Sequence, residues 1–158
     1  MADTFTKKRT DGKLRIAANT LLIEAGDLLY YDATANDVKP ASAQADQSSE
    51  AANQVLFATN FVGVAMDRSP AGTTDDISVD CDNLAEFEYP CDSATWDVGN
   101  LVAAQEDSGG TFLEDQKLVL TAVSAEAIGV CVKTEASATT TVRARLFSKL
   151  VGHRVAGS

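Results

Sequence analysis

The sequence predicts an all-β fold: a compact β-barrel or β-sandwich with a diverged internal duplication and an extended N-terminal arm. Two observations predict it. Short blocks recur in the same order, with residues 25–31 matched by 98–104, 61–66 by 127–132, and 77–81 by 142–146. The apolar residues are mostly small or β-branched, and they alternate with polar residues as in half-buried strands. A repeated β-unit this short is expected to fold together with its copy, because one copy alone buries too little apolar surface.

The duplication also predicts the domain organisation. Residues 1–20 are expected to form a flexible basic arm with at most a short strand near 13–17. Residues 21–150 are expected to form a single β domain, with halves at about 21–84 and 85–150, and residues 151–158 a frayed tail. If the repeat is real, the strands that contain Gly63 and Gly129 take equivalent places in one barrel or sandwich.

Alternation and turn residues predict where the strands lie. Strands are expected at 28–32, 55–58, 61–66, 77–81, 85–89, 101–105, 117–122, 128–133 and 141–147. The segments 55–58 and 61–66 are either two strands or one strand with a kink. The stretch at 33–54 is rich in Ala, Ser, Asn, Asp and Gln, which favours a long loop with one helical turn around 48–53. Little of the chain shows helical periodicity.

The formal net charge of −10 is unevenly distributed. Basic residues concentrate at the two ends of the chain: Lys7, Lys8, Arg9, Lys13 and Arg15 at the start, and Arg143, Arg145, Lys149 and Arg154 at the end. The segment between the two basic ends is strongly acidic. We therefore expect no nucleic-acid partner, because binding a phosphate backbone requires a basic surface. The basic ends are then either solvated or bound to an acidic partner surface.

The sequence contains little that predicts catalysis. The single histidine, His153, has no well-placed partner for metal binding or nucleophilic catalysis, and no phosphate-binding or nucleophile motif occurs. Four acidic residues lie close together, but their spacing is not that of an EF-hand and suits a solvated strand face: Asp75, Asp76, Asp80 and Asp82. We therefore expect no enzyme activity, no cofactor and no metal. No apolar run reaches the roughly 20 residues that span a bilayer, so no membrane partner is expected.

Three cysteines are too few for a disulfide scaffold. Cys81 and Cys91 could be bridged in an oxidising compartment, whereas Cys131 is typical of a small buried apolar residue. Because the N-terminus lacks the apolar core of a signal peptide, we expect synthesis in the cytoplasm and three reduced thiols.

Several motifs resemble those of the capsid decoration, or cement, proteins of tailed bacteriophages. They are Phe61-Val62-Gly63-Val64-Ala65 with its following turn, the openings Gly26-Asp27-Leu28 and Gly99-Asn100-Leu101, Ile128-Gly129-Val130, and Val142-Arg143-Ala144-Arg145-Leu146. The resemblance implies a homotrimer on the exterior of the virion capsid that binds the major capsid protein and clamps neighbouring capsomers. The long segment at 33–54 departs from the compact version of this pattern.

A decoration protein of this kind would use its basic arm for attachment. An extended arm of 15–20 residues reaches roughly 50 Å, far enough to add a strand to a neighbouring sheet edge. The candidate capsid contacts are Lys7, Lys8, Arg9, Lys13, Leu14, Arg15 and Ile16. The alternatives are a non-viral β-sandwich module that binds calcium or carbohydrate, or a structural component of a phage tail.

Overall fold

The computed structural model describes residues 13–151, which form ten strands, one α-helix and two short 3-10 helices. The strands are β1 Lys13–Ala17, β2 Leu28–Asp32, β3 Asp37–Pro40, β4 Phe61–Ala65, β5 Asp76–Asp80, β6 Glu86–Trp96, β7 Leu101–Glu106, β8 Leu113–Thr121, β9 Gly129–Cys131 and β10 Glu135–Leu146. Helix α1 spans Glu50–Asn60, and the 3-10 helices span Ala41–Ala43 and Lys149–Val151. Neither α1 nor any other helix of this range is long and apolar enough to cross a membrane.

The strands form two five-stranded sheets, which confirms the all-β prediction. The first sheet has the order β1-β5-β4-β2-β3, and the second is a closed barrel in which β6, β10, β9, β7 and β8 follow one another before β8 meets β6 again. Adding five to each strand number converts the first order into the second. The duplication therefore includes all ten strands.

Strand register shows the same correspondence residue by residue. Leu29 lies opposite Gly63 in the first sheet, and Val102 lies opposite Gly129 in the second. Even the closing contact recurs, since one parallel bridge joins Ala18 to Val38 and another joins Cys91 to Leu118. The equivalence of the two glycine strands is confirmed, but each lies in its own sheet and not in one common barrel.

The two equivalent glycines allow a close approach between strands. A Cβ atom built on Gly63 would lie 2.1 Å from the carbonyl oxygen of Asp80, and one built on Gly129 would lie 2.1 Å from that of Arg145. Real side chains do not tolerate such a distance. Glycine is therefore required where β4 approaches β5 and where β9 approaches β10, which explains why the Gly-Val pair is repeated.

Each half contributes to a hydrophobic core. The core of the first half includes Ile23, Leu29, Val38, Val62 and Val79, which are fully buried. A second, larger core is built around the barrel and includes Trp96, Leu113, Leu118, Ile128 and Val142. Five buried residues of the first half extend this larger core: Leu28, Ala41, Phe57, Phe61 and Val64. The two halves thus share apolar packing, and because the hydrophobic effect scales with buried apolar area, they stabilise one another.

Part of the segment predicted to be an arm belongs to the first sheet. Leu14 pairs with Val79 and Ile16 with Ile77 in the antiparallel ladder between β1 and β5. The two apolar residues alternate with basic ones, so one face of the strand packs inward while the other meets solvent. The domain therefore begins no later than Lys13 instead of residue 21. Residues 1–12 and 152–158 of the predicted arm and tail lie outside the described residues.

The segment predicted as a loop at 33–54 contains β3, a 3-10 helix and the start of α1. Ser49 caps the helix, since its hydroxyl accepts a hydrogen bond from the Ala52 amide at 3.3 Å. Phe57 points into the shared core. The strand predicted at 55–58 is wrong, because the apolar run there belongs to the last two turns of α1, and a short apolar run does not distinguish a helix from a strand.

The close strand approach at Gly129 predicts a large stability cost for Gly129→Ala. The added methyl group collides with the Arg145 backbone, so the sheet must shift, and we expect the free energy of unfolding to fall by about 3 kcal/mol. Gly99→Ala is the matched control, because Gly99 has a φ of +94° but nothing within 4 Å of the new Cβ. Its strain alone should cost about 1 kcal/mol. Urea unfolding measures both, and equal losses would contradict the steric explanation.

Candidate interaction surfaces

The second half covers the turn at residues 24–27, which opens β2 of the first half. The buried Tyr89 hydroxyl donates a hydrogen bond to the Gly26 carbonyl at 2.7 Å, and the Gln116 amide donates to Asp27 Oδ1 at 2.7 Å. Burial raises the pKa of Tyr89, which keeps the hydroxyl protonated as a donor. These contacts fix the first half against β6 and β8.

The segment between β3 and β4 supplies further polar contacts between the halves. Asp115 of β8 accepts hydrogen bonds from the amide and the hydroxyl of Ser42, at 2.7 and 2.9 Å. Gln54 of α1 donates to the Ala104 carbonyl at 2.9 Å, and Asn53 donates to Glu106 at 2.7 Å. The long polar segment of the sequence thus joins the two halves.

The turn at residues 97–100 is the second copy of the turn at 24–27. The Glu24 amide donates to Asp27 Oδ2 at 2.8 Å, and the Asp97 amide donates to Asn100 Oδ1 at 2.9 Å. Their surroundings differ. A Cβ on Gly26 would lie 3.4 Å from Gln116, whereas one on Gly99 would meet no atom within 4 Å. The same turn is therefore covered in the first half and open in the second.

An exposed groove of about 880 Å³ lies beside the open turn. Its apolar lining includes Leu14, Leu84, Val98, Val130, Phe147 and Leu150. Leu84 is 73% exposed and Val98 65% exposed, although both are large and apolar. Contiguous exposed apolar surface of this kind is typical of an interaction site. Sequence reasoning missed the groove; the available signal was a valine at 98 where the first copy of the turn has an alanine.

The predicted capsid contacts that lie among the described residues have different surroundings. Lys7, Lys8 and Arg9 lie outside the described residues. Lys13 begins β1, and Leu14 lines the groove. Ile16 packs against the core of the first half, which makes it a structural residue.

Arg15, the remaining predicted contact, is bound within its own half. Its guanidinium lies 3.3 Å from the Asp67 carboxylate and 3.3 Å from the Ser78 hydroxyl. It also donates to the carbonyl of Asp76. A residue with three partners in its own half offers less to an external partner than the sequence suggested.

The other basic side chains that the structure describes are also engaged. Arg143 and Arg145 of β10 lie opposite acidic residues of β6, which pair with them at 3.8 and 3.2 Å. Further ion pairs join Lys39 to Asp32, Arg68 to Glu24, Lys117 to Asp92, and Lys133 to Glu135. Lys149 lies over the Tyr31 ring, 5.5 Å from its centroid. Positive charge in the body is thus largely neutralised by neighbouring carboxylates.

The acidic edge singled out in the sequence forms turn hydrogen bonds. Asp80 accepts from the Asp82 amide at 3.0 Å, and Asp82 accepts from the Leu84 amide at 2.9 Å. Between residues 13 and 151, no group of three or more His, Cys, Asp or Glu side chains is placed to hold a metal ion. Cys81, Cys91 and Cys131 are buried, and none of the three forms a disulfide. His153 lies outside the described residues.

Comparisons with known proteins add no assignment. Neither models of known protein families nor the curated proteins give a match to this sequence.

The carboxyl group between the halves predicts a pH dependence. Burial raises the pKa of Asp115, so folding favours its protonated form. The protonated Asp115 carboxyl therefore contributes its full stability below the pKa that Asp has in the unfolded chain, about 3.9. This contribution is lost as the pH rises through the higher pKa of Asp115 in the folded protein. Asp115→Asn retains an acceptor for Ser42 and removes the charge. Relative to the parent protein, the variant should gain stability as the pH rises from about 4 to neutrality.

Asp107→Asn provides the opposite control. Backbone amides of residues 109, 111 and 112 donate to the exposed Asp107 carboxylate and hold its pKa below the usual range. Stability from this group is present at neutral pH and is lost on acidification. Its variant should therefore be less stable than the parent at neutrality and approach it in acid. Urea unfolding across the pH series would refute the assignment if both variants changed in the same direction.

Proposed function

We propose that this protein is a capsid decoration protein of a tailed bacteriophage. It binds the exterior of the head lattice and stabilises the capsid by clamping neighbouring capsomers. It acts as a homotrimer on the major capsid protein, is made in the host cytoplasm and remains on the virion exterior. Its role is structural and not enzymatic.

The positions of the resemblance motifs support this proposal. Gly63 and Gly129 allow the close approach of neighbouring strands in the two halves, and Gly26 and Gly99 occupy equivalent turns with φ of +98° and +94°. The motifs similar to those of decoration proteins are therefore the residues that build the repeated framework.

One observation carries the choice of attachment site: the place where the basic segment joins the body. β1 is the first strand in the order of the first sheet, and the sequence shortly before it contains Lys7, Lys8 and Arg9. Carboxylates neutralise the body's own basic residues, as Asp67 does for Arg15. We therefore assign attachment to an acidic capsid surface to Lys7, Lys8 and Arg9, which precede β1 in the sequence.

Weak contacts are sufficient for such a protein. An exposed ion pair contributes only about 0–1 kcal/mol, so a single arm binds weakly. A trimer that places identical arms on a repeating lattice multiplies these contacts, because each further contact is intramolecular once the first has formed. Attachment then depends on the assembled head.

Replacing Lys7, Lys8 and Arg9 together with alanine tests this proposal. We expect the free energy of unfolding to be unchanged, and binding to mature heads of the encoding phage to weaken at least tenfold at low salt. The difference should narrow at high salt, where screening already weakens the parent protein. Co-sedimentation with heads measures the binding. Deletion through residue 16 is unsuitable because it removes most of β1.

The matched control replaces Arg68, Lys133 and Arg143 with alanine, which removes the same charge from the body. Equal loss of binding in the control would show that net charge, and not the segment before β1, governs attachment. Undiminished binding of the Lys7, Lys8 and Arg9 variant would refute the attachment site. Failure of the parent protein to bind heads would refute the proposed function.

A further inference from the structure

The duplication leaves one surface of the second half without the cover that its counterpart has. Leu28 and Val64 of the first half are at most 2% exposed, because the barrel packs against them. Their equivalents by strand register are Leu101 and Val130, which are only partly buried. The backbone pairing is the same in both halves, so the difference in burial comes from the neighbouring residues. In the first half the second half of the chain covers this face, and in the second half no other part of residues 13–151 does.

We propose that the open face of the second half binds the first half of another copy of this chain, in a head-to-tail contact that repeats the one inside each chain. The open face comprises the turn at 97–100 and the apolar groove beside it. The occupant is a second copy because the only surface seen to cover such a face is itself half of this protein. A solvent-exposed Val98 suits an interface that is completed by association.

The register identifies the residues that would face the open turn. Tyr89 pairs with Val142 in the second half, and Ile16 pairs with Ile77 in the first. Since Ile77 and Val142 are equivalent in the repeat, Ile16 is the counterpart of Tyr89, which contacts Gly26. The two closing bridges make Val38 the counterpart of Leu118. Asn36 precedes Val38 by two residues, as Gln116 precedes Leu118, so Asn36 is the counterpart of Gln116 in the sequence.

Asn36 has the chemistry that this position needs. Like Gln116 it carries an amide group, and it is exposed. Its oxygen accepts from the Tyr31 hydroxyl at 3.2 Å, which leaves the nitrogen as the donor to offer. In the first half, Gln116 donates to Asp27. In the contact between copies, Asn36 of one copy would donate to the turn that ends at Asn100 of the next.

This contact is heterologous, because it joins two different surfaces of the chain. Heterologous contacts close into rings or continue as filaments, and a ring of three would be the trimer of the proposed function. The contact rests on the duplication and not on capsid binding. Because its test uses the free chain, its failure would leave the capsid proposal standing.

A disulfide between two single variants tests the contact. Val98→Cys and Asn36→Cys place one thiol on each of the two surfaces, and both variants are made with Cys81 and Cys131, which line the groove, replaced by alanine. Mixed at millimolar concentration under mild oxidation, the two variants should give a disulfide-linked pair in at least tenfold excess over either variant alone. A symmetrical pair of Val98→Cys chains as the main product would overturn the head-to-tail arrangement. Absence of any linked product would overturn the contact itself.

Sedimentation of the free chain gives a second, independent measurement. Val98→Glu places a charge in the apolar groove at an exposed position, so the fold should remain intact while self-association weakens at least tenfold. Val55→Glu is the matched control, since Val55 is 39% exposed on α1 and does not line the groove. Equal weakening by both variants, or none by Val98→Glu, would contradict the proposal.

Discussion

The fold depends on one steric constraint that occurs twice: a glycine in the fourth strand of each half, against the backbone of the fifth. At Gly63 and at Gly129 a carbonyl oxygen occupies the space that a side chain would need. The short β4 and β9 can lie between their two neighbours only because this contact is allowed. The remaining strand order follows, and it is the same in both halves. A repeated sequence therefore gives a repeated topology.

The two halves have the same strand order but differ in the segments between their strands. α1 lies between β3 and β4 and has no helical counterpart between β8 and β9. It carries Phe57 into the shared core and Gln54 to the backbone of β7. One insertion thus orders the contact between the halves and makes the pair asymmetric. The consequence is one covered and one open copy of the same face, which is the physical origin of the groove beside Val98.

Charge and apolar surface have separate roles in this molecule. Carboxylates of the body neutralise its own basic side chains across neighbouring strands, as Glu88 does for Arg143 and Glu86 for Arg145. Such exposed pairs add little stability, but they leave the body acidic and favour its solubility. The groove, in contrast, offers apolar contact. The proposed attachment to a capsid and the proposed contact between copies therefore use different surfaces and different interactions.

Local pattern alone determined the all-β class, the repeat, and most strand positions, because alternation and the Gly-Val pairs are properties of consecutive residues. It also determined the short strand near residue 13, although not its membership of the sheet. Only the tertiary structure decided that each copy closes its own sheet, that the run around Val55 is helical, and that Arg15 is bound to Asp67. The groove escaped prediction for the same reason. It is formed by residues from Leu14 to Leu150 that are distant in the chain, and their exposure depends on which neighbour covers each face.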